Sequence, residues 1–385
     1  MIKDKKEVYL DYSATTYVKP KVLEEMLPYF TENFGNPSSL YNKGLESKIA
    51  IKKARKIIAN YIGANENEIY FTSSGSEGNN WVLKSNKLLE FALLHEDKKP
   101  HIITTEIEHH SILNSCEFLK RIGVNVTYLK VDNEGFINLN ELEKAITPET
   151  ILVSIMFANN EIGTIEPIKE IGKLCARKGI LFHTDVTQAI GHIKIDVEEL
   201  NIDALTFSGH KLYAPKGIGC VYIRAINDFG FLNSFIHGGK QEYGLRAGTE
   251  NVSGIVGLGK AIELLDNRTI REVRDYCLDK LKDIEGIELN GTKDLSKRLD
   301  CNINIRIKGV ENESLINMLS LYGIYVSSGS ACNSGSLAPS HVLKAIGLSD
   351  KEANSSIRIT IGEETTKEDI DYFIDKLKIS LDKIK

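Results

Sequence analysis

The chain has 385 residues, of which 42% are hydrophobic and 26% charged, a balance that suits one large and one smaller globular domain and leaves no share for a long disordered tail. A formal net charge of -5 excludes a partner held by many phosphate contacts, so direct nucleic-acid binding is not expected. No stretch approaches the about 18 uninterrupted apolar residues of a membrane span, and the opening MIKDKKEVYLDYS lacks a signal-peptide core, so a cytoplasmic protein away from membranes is expected.

In chain order, Leu45, Ile49, Ile57, Ile58 and Tyr61 recur at helical spacing and predict a helix with one buried face, capped by Gly63. From there to about residue 225, helix-period segments alternate with the apolar runs IYFT, HIITT, ILVSIMF, ILFHTD and ALTFS. This alternation predicts a mainly parallel sheet covered by helices. Beyond about residue 250 the texture changes to a long helical stretch over 252–285, short strands near 303 and 356, and a charged amphipathic helix from 366. These read as a second, α+β domain that the N-terminal residues join or cross to. The six cysteines, Cys116, Cys175, Cys220, Cys277, Cys301 and Cys332, stand singly, so reduced thiols and no metal centre are expected. Five have apolar or helix-patterned neighbours that suit core packing.

Several loops after strands carry polar groups. SSGSEGNN runs from a strand into a helix, so Gly75 and Ser76 can seat an anion on backbone N–H groups, although an ordinary strand-to-helix turn reads the same way. Asp185 falls at a strand's C-terminal tip, where ligands bind in open α/β sheets, with Gln188 one turn later; helix caps also occupy such positions. Ser208, His210 and Lys211 share the SGHK turn. Imine formation needs a neutral amine, against an ordinary Lys pKa of about 10.4, and most lysines are simply solvated. The glycine-rich stretch His237–Asn251 holds Arg246 and Thr249 and suits contact with an anion, or a domain connection. His109 and His110 are adjacent, so they diverge on a helix and do not read as paired metal ligands. Cys332 lies among small residues in SSGSACNSGS. A thiol of pKa about 8.5 there is already partly thiolate at neutral pH, and a surface thiol without a role is the alternative.

Taken in order, DYSATT, GNPSS, SSGSEGNN, TEIEHH, NNEIGT, HTDVTQ, SGHK, the stretch from GGKQE to AGTEN, SGSAC and SSIRITIG resemble the cysteine desulfurases of the NifS/IscS type, over residues 8 to about 380. The resemblance implies an α/β protein of the PLP-dependent transferase fold type I. In it a mainly parallel seven-stranded sheet forms a large domain over 15–255, and residues 1–14 and 256–385 form a smaller α+β domain carrying the cysteine loop at about 327–337. The implied cofactor is pyridoxal 5'-phosphate (PLP), carried on Lys211, with Asp185 holding its ring nitrogen, His109 stacked on the ring and exchanging protons, and Gln188 at its phenolic oxygen. Asn160 would border cofactor and substrate, while Gly75, Ser76, Ser208 and His210 would hold the phosphate. Thr249 would reach the phosphate of a second copy, implying a homodimer, and Arg358 would grip the substrate carboxylate.

By the same resemblance, Cys332 takes sulfur from L-cysteine as a persulfide, L-alanine leaves, and the sulfur passes to an acceptor protein, an iron–sulfur scaffold or a tRNA-thiolation enzyme. Three departures stand out. Ser76 and Gly78 replace Thr and Ser or Asp, implying a looser phosphate loop; Tyr41 replaces His after GNPSS; and one helix follows Arg358 where some relatives extend to dock a scaffold. Two other readings remain: an aminotransferase or selenocysteine lyase of the same fold, with Cys332 incidental, and a non-catalytic sulfur-carrier partner.

Overall fold

The computed structural model describes residues 6–87, 89–90, 94, 99–225, 231–266, 270–329 and 338–384. In chain order its strands are β1 (Val8–Tyr9), β2 (Ile69–Thr72), β3 (His101–Thr105), β4 (Asn125–Leu129), β5 (Thr150–Ser154), β6 (Leu181–Asp185), β7 (Ala204–Ser208), β8 (Gly219–Ile223), β9 (Ile287–Leu289), β10 (Asn302–Ile307), β11 (Ile324–Tyr325), β12 (Ser327–Ser328) and β13 (Ser356–Thr360).

The apolar runs of the sequence become one seven-stranded sheet in the order β2-β8-β7-β6-β5-β3-β4. Only β8 runs against its neighbours, so β2 and β7, on either side of it, point the same way as β3 to β6. Every residue of β2, β3 and β7 is buried, as expected for strands covered by helices on both faces. The loops after β2, β3, β5, β6 and β7 therefore leave one carboxyl-end edge of the sheet, where open α/β folds bind ligands.

The predicted helix spans Asn42–Ile62 and ends at Gly63, whose left-handed φ of 71° matches the expected cap. The next helix, Gly75–Lys84, starts at Ser74, whose Oγ accepts the Glu77 N–H at 3.1 Å. Gly78 does not face the anion loop. A Cβ there would lie 2.7 Å from Val221 Cγ2 and 3.0 Å from Thr206 Cγ2, so the missing side chain lets the helix sit directly on β7 and β8. The looser loop implied by Gly78 is thus replaced by tight helix–sheet packing. Gly78→Val is expected to destabilise the chain by about 1–3 kcal/mol, read as a lower denaturant midpoint, because a β-branched side chain overpacks that contact.

The C-terminal part differs from expectation in one respect. The single helical stretch over 252–285 is two helices, Val252–Glu263 and Ile270–Lys282, the first ending in a C-cap at Leu264. A four-stranded sheet, β12-β13-β10-β9, follows, met by the helices Ile270–Lys282 and Asn312–Leu321, on which the helix Lys367–Ile384 packs, while β1 pairs in parallel with β11. One apolar cluster runs from Val8 through Phe207 to Phe373, so the N-terminal segment and both sheets share a continuous core.

Candidate active site

At the carboxyl edge of the large sheet lies a cavity of about 220 Å³. Its wall contains Gly75, Ser76, His109, Asn160, Asp185, Gln188, Ser208, His210, Lys211 and Arg358, so ten positions singled out in the sequence converge. Thr249 does not line it and is exposed. Cys332 lies outside the described residues.

Asp185 ends β6 and is 8% exposed. Its Oδ2 accepts Asn79 Nδ2 at 2.7 Å and its Oδ1 accepts the Thr187 N–H at 2.9 Å, which fixes the carboxylate plane. Asn79 is the positioning residue that sequence reasoning missed. It also donates to Ser111 Oγ at 2.8 Å, and its own Oδ1 accepts from Thr206 Oγ1. Ser111 in turn meets His109 Nδ1 at 2.8 Å, and the Ser111 N–H donates to the same nitrogen at 3.2 Å. With Nδ1 used as an acceptor, the His109 proton sits on Nε2. One hydrogen-bond chain therefore sets both the carboxylate and the imidazole tautomer.

Lys211 follows β7 in a short 3-10 turn, and its amine donates to the main-chain oxygens of Ser13 and, at 2.6 Å, Ala14. The DYSATT segment thus closes the cavity beside the lysine, and Gln188 Nε2 reaches the same Ser13 oxygen at 3.3 Å. His210 Nδ1 meets Thr15 Oγ1 at 3.1 Å; burial first, then Lys211 and Lys216, push its pKa down to about 4, so the ring is neutral. Across the cavity the helix Gly75–Lys84 presents its N-terminus. The first N–H groups of a helix have no intrahelical partner, and Ser74 takes only that of Glu77.

Arg246, read as an anion contact, instead pairs with Glu77 at 2.9 Å, tying the 237–251 stretch to this loop and helping hold the Glu77 carboxyl below its usual range despite burial. Buried Arg55 makes a bidentate pair with Glu242 at 2.9 and 2.8 Å and anchors the same stretch.

Arg358, on β13, is 1% exposed. Its Nη2 donates to Asp11 at 2.7 Å and its Nη1 to the Asn160 main-chain oxygen at 3.2 Å, while among the described residues its Nε has no partner. Asp11, in the DYSATT motif, was not singled out by sequence. β12 pairs with β13 so that Ser327 faces Arg358. At the next residue but one, a Cβ on Gly329 would lie 2.5 Å from Glu161 Oε2, and that same oxygen accepts Ser340 Oγ at 2.5 Å. Both stems of the cysteine-bearing segment therefore abut Glu161 in the cavity wall.

Glu108, also in the wall, is 1% exposed. Its Oε1 accepts Thr105 Oγ1 at 2.8 Å and the Met156 N–H at 2.9 Å, yet burial raises its pKa to about 8. Because the folded chain holds this proton where the unfolded chain releases it, the stabilisation is full below about pH 4.5 and is lost as pH rises towards 8. Relative to Glu108→Gln, the wild type should lose stability across that window by up to about 1.4 kcal/mol per pH unit. A difference that does not vary with pH would contradict this assignment.

These residues fit PLP on their own chemistry. A fixed carboxylate, a lysine amine, an imidazole of set tautomer and a helix N-terminus with hydroxyls share one hollow. At Gly75 a Cβ would lie 3.3 Å from Thr187 Oγ1, so the cradle is close-fitting there.

The aminotransferase class-V family model matches residues 8–373. The chain is 53% identical over 379 residues to a Clostridium botulinum protein named cysteine desulfurase IscS, covering 97% of this chain and 94% of that one. A solved structure described as a NifS-like protein superposes with a TM-score of 0.89 at 37% identity, over 98% of this chain and all of that one. Another, described as SspA in complex with cysteine, gives 0.83 at 40% identity over 93% of this chain and 99% of that one. The chain belongs to the class-V aminotransferase family, within its cysteine desulfurases of the IscS and NifS type.

Proposed function

We propose that the chain is a PLP-dependent cysteine desulfurase that moves the sulfur of L-cysteine onto Cys332 and releases L-alanine. The observation that carries this reading is the convergence of Lys211, Asp185, His109 and Arg358 on one cavity whose wall is met by both stems of the Cys332 segment. Gly329 stands three residues before Cys332, a length of chain spanning at most about 11 Å.

Lys211 would carry the cofactor, Asp185 its ring nitrogen, and Gly75, Ser76, Ser208 and His210 its phosphate. PLP bound there supplies an electron sink that labilises bonds at the amino acid's Cα and Cβ. Arg358 orients the substrate through its carboxylate, a role supported by the unpartnered Nε. Lys211 Nζ takes the Cα proton, and His109, protonated at Nε2, gives or receives a proton beside it. Cys332 Sγ, as thiolate, forms an S–S bond to the substrate sulfur as the Cβ–S bond breaks. The bonding pair stays with the organic fragment, which takes up a proton and leaves as alanine. The terminal sulfur is then open to an acceptor protein, an iron–sulfur scaffold or a tRNA-thiolation enzyme.

The proposed assembly is a homodimer with Thr249 reaching the second copy's site. It is supported by the exposed apolar side chains gathered in one stretch of sequence, among them Leu27, Phe30, Phe34, Leu40 and Tyr41, and by the exposure of Thr249 away from its own cavity. No helix among the described residues is long and apolar enough to cross a membrane. The five described cysteines are unpaired, which suits a reducing compartment such as the cytoplasm.

The test is to load purified chain with PLP and add L-cysteine with a thiol reductant. Yellow protein that forms alanine and sulfide in equal amounts is expected. Protein that stays colourless with PLP would overturn the reading.

A further inference from the structure

Beside the active-site cavity, three side chains that the proposed mechanism does not use come together. His192 follows the turn after β6, and Asp300 and Cys301 lead into β10, 108 positions away along the chain. His192 Nδ1 lies 2.7 Å from Asp300 Oδ1, and a ligand atom of each of the three residues falls within 4.8 Å of the other two. The side chains of His192 and Asp300 are 19% and 10% exposed, and Cys301 is 4% exposed.

The backbone holds this arrangement from both sides. The His192 N–H donates to Ala189 at 3.0 Å, and the Cys301 oxygen accepts the Ile361 N–H at 2.9 Å. His192 and Cys301 also border a hollow of about 20 Å³, which is room for one water. Gln188 and Lys211 line the same hollow, so the cluster lies directly behind the proposed cofactor site.

We propose that His192, Asp300 and Cys301 form a binding site for a divalent transition-metal ion of the zinc class, completed by a water in the adjoining hollow. The donor set decides the class. Magnesium and calcium take oxygen ligands, whereas one imidazole nitrogen, one thiolate and one carboxylate suit zinc, which takes N, S and O donors tetrahedrally. A thiolate and a carboxylate balance the dication beside a neutral imidazole, so the occupied site carries no net charge, as burial requires. The His192–Asp300 hydrogen bond gives way to two metal bonds, and both the proton shared by those two side chains and the thiol proton of Cys301 are displaced on binding. The ion would pin the loop after β6, which follows Asp185 and carries Gln188, to the segment that leads into β10. Isolated placement along the chain explains why cysteine spacing alone pointed away from a metal.

The experiment uses chelator-treated full chain titrated with Co2+ as a spectroscopic probe, then with Zn2+. One equivalent of Co2+ should saturate a near-ultraviolet sulfur-to-cobalt charge-transfer band, and Zn2+ should bleach it. The band should persist in Cys332→Ser, be lost in Cys301→Ser, and need at least about tenfold more Co2+ in His192→Ala, since losing even an outer partner costs that much. Asp300→Asn, which keeps volume and hydrogen bonding, should weaken Co2+ similarly and serves if the thiol variant does not fold. A band that disappears with Cys332 and survives Cys301→Ser, or no saturable band, would overturn the site and leave a hydrogen-bonded polar cluster only.

Discussion

Lys211→Ala should lower alanine formation from L-cysteine by at least about a thousandfold, the scale seen when a nucleophile that also moves a proton is removed. The amine lines the cavity with Asp185 and is held by two main-chain oxygens of the DYSATT segment, a position that no neighbouring lysine shares among the described residues. The variant should still fold, because the carbonyls of Ser13 and Ala14 line the cavity wall, where water can replace the amine. Its added PLP should be removable by dialysis, unlike that of the wild type. Retained turnover would remove Lys211 from the reaction.

Cys332→Ala should separate colour from chemistry. The residues proposed to hold the cofactor are all elsewhere in the chain, so yellow PLP absorbance should be unchanged. Alanine and sulfide production should fall by at least about a thousandfold, since no other thiol can take its place. The remaining cysteines are buried in the described structure and none lines the cavity, and burial drives the thiols of Cys116 and Cys175 up to about 12 and those of Cys220 and Cys277 still higher. Normal turnover in this variant would favour an aminotransferase-type reaction in which the thiol is incidental.

Most of the loops that build the cavity were legible because each follows a short, largely apolar run. A buried parallel strand announces its own carboxyl end, so Asp185 at the end of ILFHTD and Lys211 after ALTFS could be placed at one edge from sequence. The partners that aim those residues were less visible. Asn79 sits in a helix among polar neighbours, and only the fold brings its amide to Asp185. Asp11 and Arg358 are separated by 347 positions, and nothing local in either motif announces the pair. Gly78 read as a change in the anion loop because sequence order places it there, whereas the helix turns it toward Val221 on the sheet. The break after Glu263 was masked by helix-forming residues on both sides.

Burial was the other hidden quantity. Glu108 in TEIEHH looks like any acidic residue beside a strand, and its neutral state follows only from enclosure by Met156 and the sheet. The same holds for His183, whose pKa burial lowers to about 4 within the core beneath Asp185.

The most direct test is the mass of the peptide bearing Cys332 after PLP-loaded chain is mixed with L-cysteine and quenched without reductant. The account predicts that this peptide alone becomes one sulfur atom heavier, and that reductant reverses the change as sulfide is released. An unmodified Cys332 peptide from protein that is meanwhile forming alanine would contradict it.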